Sequence, residues 1–163
     1  MSKRRGIKKN MELKKLFIVL YFSIFSYNLQ ADIIKPENNY TPFEVVKIQL
    51  TALKNNKKEK GDLGIKQVWI FAHPKNKIAT GPYKRFKGMI EGEQYKILLN
   101  HVSHKINLIM NTKEKHIFRI EILAENKKLY FYEWHVEKGT EKNCNSCWFT
   151  SAVSIPVDQG NTI

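Results

Sequence analysis

Leu129-Tyr130-Phe131-Tyr132-Glu133-Trp134-His135-Val136 is the stretch whose reading decides the fold. It is too aromatic for a surface helix, and it alternates. In an extended strand, neighbouring side chains point to opposite faces. Tyr130, Tyr132 and Trp134 therefore share one face, and Phe131, Glu133 and His135 share the other. Upstream, residues 117–123 set Phe118, Ile120 and Ile122 against Ile117, Arg119, Glu121 and Leu123. Ile106, Leu108 and Met110 alternate before them, and residues 148–155 close the series. The connectors 111–115, 125–128 and 138–143 are polar, with lengths that suit an antiparallel meander.

Working back from these strands, the period changes. Thr41-Pro42-Phe43-Glu44 is a capping box with Pro at the first helical position. The helix it opens carries Phe43, Val46, Leu50 and Leu53 on one face. Ile65, Val68, Trp69 and Ala72 follow at helical spacing, closed by Pro74. Residues 75–80 read as a loop. Gly81-Pro82 reads as the start of a third helix carrying Phe86, Met89 and Ile90, with Thr80 as its cap. Residues 95–99 read as a short extended run. Helices first and an antiparallel sheet afterwards make an α+β domain, with the N-terminal helices packed on a curved antiparallel sheet.

The first 31 residues read differently from the rest. Seven Lys or Arg precede the apolar run 16–27, and Leu29-Gln30-Ala31 offers small Ala31 to a signal peptidase. As a helix the run spans about 18 Å, short of the roughly 30 Å of hydrocarbon in a bilayer. We read residues 1–31 as a signal peptide, with Met11 as an alternative start. An uncleaved N-terminal anchor is the rival reading. Either predicts an exported domain, in the periplasm or the thylakoid lumen. The expected organisation is signal 1–31, linker 32–40, domain 41–157 and tail 158–163.

Charge bears on partners. The chain has 28 Lys and Arg against 15 Asp and Glu, a net +13. Without residues 1–31, 21 basic residues face 14 acidic ones, and only Arg85 and Arg119 are arginines. Readers of nucleic-acid sequence lean on Arg for bidentate base contacts. Diffuse Lys fits solubility or loose attraction to an anionic membrane face instead. No nucleic-acid partner is expected, and peripheral membrane association is allowed.

Cys144 and Cys147 form a CxxC followed by Trp148. Haem attachment would need His in that place, and a zinc site would need a second ligand pair. A thioredoxin-type site wants the first Cys at a helix N-terminus, whereas a strand follows here. A local disulfide or two free thiols remain, and an oxidising compartment favours the disulfide. No metal and no cofactor are expected.

Four stretches resemble one family. They are 42–53, the segment Phe71-Ala72-His73-Pro74-Lys75-Asn76-Lys77-Ile78-Ala79-Thr80-Gly81-Pro82-Tyr83-Lys84-Arg85-Phe86, Leu99-Asn100-His101, and Cys147-Trp148-Phe149-Thr150. Together they resemble the uncharacterised domain of unknown function numbered four-eight-six-four, over residues 42–157. The resemblance implies a cystatin-like, nuclear-transport-factor-two-like cone with a pocket between sheet and long helix. It supplies no activity. The family shows one Cys before the Trp, matching Cys147, so Cys144 departs from its pattern.

Such cones host isomerases, dehydratases and pure binding domains, so the fold leaves function open. The pocket implied by the resemblance would draw on Trp69, Arg85, Asn100, His101, Trp134 and Trp148. Arg85 could aim a cation at the pocket mouth or tie a loop. His101 could act as a general base near neutral pH or serve as a hydrogen-bonded turn residue. His104 lies three residues on, which places it across a strand from His101 and argues against a metal pair. The aromatic strands and the lack of a nucleophile motif predict an exported domain that binds a small apolar or amphipathic ligand, or a protein partner. A cofactor-free lyase or isomerase using His101 with Arg85 is the second reading. An assembly factor of a membrane-adjacent complex is the third.

Overall fold

A computed structural model describes residues 33–56 and 61–161. The signal-peptide reading of residues 1–31 and the alternative start at Met11 lie outside the described residues. Four helices come first: α1 (Pro42–Lys54), α2 (Leu63–Ile70), α3 (Pro74–Thr80) and α4 (Tyr83–Glu91). A 3-10 turn (Lys96–Leu98) leads into β1 (Ser103–Asn111), β2 (Lys115–Leu123), β3 (Lys128–Glu141), β4 (Cys144–Val153) and β5 (Val157–Asn161). The sheet is antiparallel in the order β1-β2-β3-β4, and β5 returns to pair with β3. The α+β architecture follows.

The alternation read in residues 129–136 orders the sheet as expected. Phe118 pairs with Trp134, Ile120 with Tyr132 and Ile122 with Tyr130. All six are buried, with Val136, on the face that receives the helices. The other face carries ion pairs such as Lys115–Glu137 and Lys105–Glu121. β3 is long enough to hold two partners in a row. β4 takes Trp134 to Glu141, and β5 takes Lys128 to Phe131. Residues 158–161, read as a tail, therefore continue a strand.

The α1 capping box forms as read. Thr41 Oγ1 accepts from the Glu44 amide at 3.2 Å, and Glu44 Oε2 accepts from the Thr41 amide at 2.8 Å. These bonds hold the Glu44 carboxyl below the usual carboxylate range. α1 buries Val46, Leu50 and Leu53, while Phe43 stays about half exposed beside Phe118. α1 and α2 meet at Gly64, where any Cβ would stand 2.3 Å from the Ala52 carbonyl oxygen. Only glycine permits this approach.

Three local expectations are corrected. Residues 75–80 are not a loop but most of α3. No residue of α3 is buried, so the sequence carries no apolar period there. Its helix is set by Pro74 at the first position and by His73, whose Nδ1 accepts from the Lys75 amide at 3.2 Å. Thr80 does not cap α4, because its hydroxyl donates back to the Asn76 carbonyl at 2.8 Å. Residues 95–99 are not extended. Tyr95 and Leu98 turn inward through the 3-10 turn, with the Tyr95 hydroxyl donating to the Val153 carbonyl at 3.1 Å.

The segment read as a linker also docks. The Ile34 amide donates to Gln67 Oε1 at 2.8 Å, Gln67 Nε2 donates to the Ile34 carbonyl at 2.7 Å, and Tyr40 packs on Phe71.

Candidate functional site

A cavity of about 190 Å³ opens where α3 and α4 lean over the end of β4. Its floor is Trp134 on β3 with Thr150 on β4. Leu53, Val68 and Leu98 close the back, and Phe86, Met89 and Ile90 come from α4. Asn76 and Thr80, one turn apart on α3, supply polar atoms, and Ser151, Ala152 and Val153 form the opposite wall. None of the lining side chains carries a formal charge at neutral pH. Tyr95 is the one phenol in the wall, and burial pushes its pKa up, so it stays protonated.

The floor is held by a network centred on Thr150. Trp134 Nε1 donates to Thr150 Oγ1 at 2.8 Å, and the Gln49 side-chain amide lies 2.8–3.0 Å from the same hydroxyl. The Gln49 amide also donates to the Val45 carbonyl at 3.0 Å. The Thr150 backbone is used just as fully. Its amide donates to the Phe71 carbonyl at 2.8 Å, and its carbonyl accepts from the His73 amide at 2.8 Å and from Asn76 Nδ2 at 3.3 Å. A single residue thus ties β4 to α1, to β3 and to the strand-like link between α2 and α3. With its donor occupied, Asn76, which lines the cavity, keeps an amide oxygen that makes no hydrogen bond among the described residues.

His101 stands elsewhere. It is 2 % exposed, and its Nδ1 lies 2.7 Å from the Leu98 carbonyl oxygen. A carbonyl only accepts, so Nδ1 carries the hydrogen and Nε2 is left as an acceptor. His104 Nδ1, 2.7 Å away, is then the donor to it. Burial pushes His101 down to about 4 and lowers His104 as well, with the Lys54 charge acting in the same direction on both. The contact corrects the expectation that i and i+3 would diverge. Asn100 adopts positive φ (55°) and the strand begins only at Ser103, so the two rings are not on a common strand. Two nitrogens bonded to each other leave no shared metal position. No group of three metal-ligating side chains occurs among the described residues.

The other residues singled out from the sequence separate. Trp134 lines the cavity. Trp69 packs at a tilt on Phe86 and Tyr83, with Lys77 Nζ 6.0 Å from its ring. Arg85 is exposed on α4, one turn before the cavity residue Met89. Asn100 is exposed, and its amide donates to the Leu53 carbonyl at the end of α1. Trp148 stands over His116 at 4.9 Å, with Lys138 Nζ 5.4 Å from its ring. His101 and Arg85 are not brought together, and neither lines the cavity. Cys144 and Cys147 are joined as a disulfide with Cα atoms 5.8 Å apart. The pair is covered by Phe149 and the Asn38 side chain.

Sequence reasoning missed Gln49, Thr150, Asn76 and His73. Gln49 had a signal, since it interrupts the apolar face of α1 between Val46 and Leu50. Comparison with protein-family models, with curated proteins and with solved structures finds no match to this chain.

Proposed function

We propose that this chain is an exported binding domain that takes a small, uncharged, mainly apolar ligand into the cavity between α3, α4 and β4. The observation that carries the reading is the wall itself: apolar over most of its surface, free of charged groups, with the Asn76 amide oxygen as an open acceptor. A ligand with an apolar body and one N–H or O–H donor fits that chemistry. Size is adequate, since a dry engineered cavity of about 150 Å³ already binds benzene. General acid–base chemistry has little support in this wall, because it offers no group that titrates near neutrality. The Cys144–Cys147 disulfide supports an oxidising compartment. Helices gathered on one face of an antiparallel sheet, with a cavity beneath them, support the finer cone-like reading.

The test is native mass spectrometry of the protein isolated gently from its host, followed by titration with indole, an uncharged ring with a single N–H donor. A mass excess lost on denaturation, and saturable indole binding abolished by Ala152→Trp at the cavity rim, is the expected result. Absence of both for the natural protein overturns the reading.

A further inference from the structure

The two helices that form the cavity lip are unusual in what they leave exposed. α3 and α4 together carry Lys75, Lys77, Lys84, Arg85 and Lys87 against Glu91. Lys77 is paired with Glu141, and Lys87 with Asp62 and Glu91. Lys75, Lys84 and Arg85 are exposed and form no ion pair among the described residues. Glu93, just beyond α4, is the nearby acid on this stretch of chain outside those pairs. On the same two helices Ile78 is 84 % exposed, the most exposed large apolar side chain described, and Met89 is 37 % exposed at the cavity mouth.

Lys75 and Ile78 are three residues apart on α3, and Arg85 and Met89 are four apart on α4, so each helix sets a cation beside an apolar side chain on one face. A soluble polyanion would reward the cations and leave Ile78 in water. An anionic bilayer rewards both, because phosphates meet the cations at the depth where an apolar tip enters the hydrocarbon.

We propose that the α3–α4 lip docks on an anionic lipid surface, with Ile78 and Met89 entering the bilayer interface and Lys75, Lys84 and Arg85 facing lipid phosphates. The docking presents the mouth of the apolar cavity to the membrane. It does not depend on the cavity holding a ligand. The cavity reading is tested in solution without lipid, so the two fail separately.

The experiment uses the full chain with vesicles of phosphatidylcholine alone or mixed with phosphatidylglycerol. Sedimentation measures partition, and amide hydrogen exchange locates the contact. The expected result is slowed exchange in residues 74–91 on the anionic vesicles only. Each cation near such a surface strengthens partition about fivefold. The double variant Lys84→Gln/Arg85→Gln should therefore weaken the lip-dependent partition about thirtyfold, and Ile78→Asp at least about tenfold. All three positions are exposed, so the variants keep the fold, and unchanged exchange in β2 and β3 verifies it. Unaltered exchange in residues 74–91, or protection there that survives both variants, overturns the proposal. Equal protection of the same residues by heparin without lipid also overturns it, in favour of a soluble polyanion.

Discussion

Two buried polar centres, the Thr150 hub under the cavity and the His101–His104 pair behind the end of α1, are built from opposite materials. The hub uses a hydroxyl, an amide and an indole, none of which titrates in the working range of a protein. The pair uses two imidazoles, of which His101 must stay neutral so that its Nε2 can accept from His104 Nδ1. Both are fully satisfied at neutral pH, and no buried side-chain nitrogen or oxygen lacks a partner among the described residues. They should nevertheless fail under different stresses. The hub fails when an atom is removed, and the pair fails when a proton is added.

The largest effect should come from breaking the hub. Thr150→Val keeps the shape and removes the hydroxyl, which strands the Trp134 indole N–H and half of the Gln49 amide. Two buried groups left unpaired cost about 2–5 kcal/mol. Urea unfolding should report that loss equally at pH 8 and pH 6, and a pH-dependent loss would mean that the hub is coupled to a titrating group.

Acid should break the pair. In the unfolded chain His101 titrates at its ordinary value, whereas in the fold it is held down to about 4. Between those values the unfolded state binds more protons, so stability rises with pH across that window. The contribution is complete above about pH 6.5 and is lost as the pH falls toward 4, on the order of 3 kcal/mol. His104 is lowered too and adds in the same direction. Unfolding free energies measured from pH 7 to pH 4 should fall accordingly, and His101→Gln should flatten the slope. Thr150→Val should leave that slope as it is in the natural protein. A flat profile for the natural protein would remove the contrast between the two centres.

Asn76 sharpens the hub's role at the cavity. Asn76→Ala removes one hydrogen bond to the Thr150 carbonyl, for about 1 kcal/mol of stability, and the open acceptor with it. Indole affinity by calorimetry should drop about fivefold. Unchanged affinity would put the ligand's polar end elsewhere in the wall.

The smallest effect tunes the pair from outside. Lys54 disfavours the charged form of both imidazoles. Lys54→Gln relaxes that pressure, brings the folded pKa closer to the unfolded one, and moves the acid transition to lower pH by less than about half a unit. A shift to higher pH would contradict the sign.

Local signals explain which parts of this molecule were legible. The strand of residues 129–136 and its neighbours were readable because one face is buried, and a period of two survives only in that case. The α1 start was readable because a capping box needs only four consecutive residues. α3 was hidden because it buries nothing, and hydrophobic period was the signal being read. The cavity was legible only in part. Trp134 belongs to it because its face of the sheet does. Asn76 fell in the stretch read as a loop, and nothing in its neighbours shows that its amide meets β4 across 74 residues of chain.

The sequence by itself determined the class of the fold, which side chains share a face in β2 and β3, the cap of α1 and the disulfide-capable pair. Each depends on spacing along a few residues, and backbone geometry converts spacing into direction without reference to the rest of the chain. The tertiary structure alone decided that Thr150, Gln49 and Trp134 share one hydroxyl, that His101 meets His104, and that Arg85 stands outside the cavity while Asn76 stands inside it. Those outcomes depend on how helices dock on a sheet. Docking is set by the summed packing of side chains distant in sequence, which no local window contains.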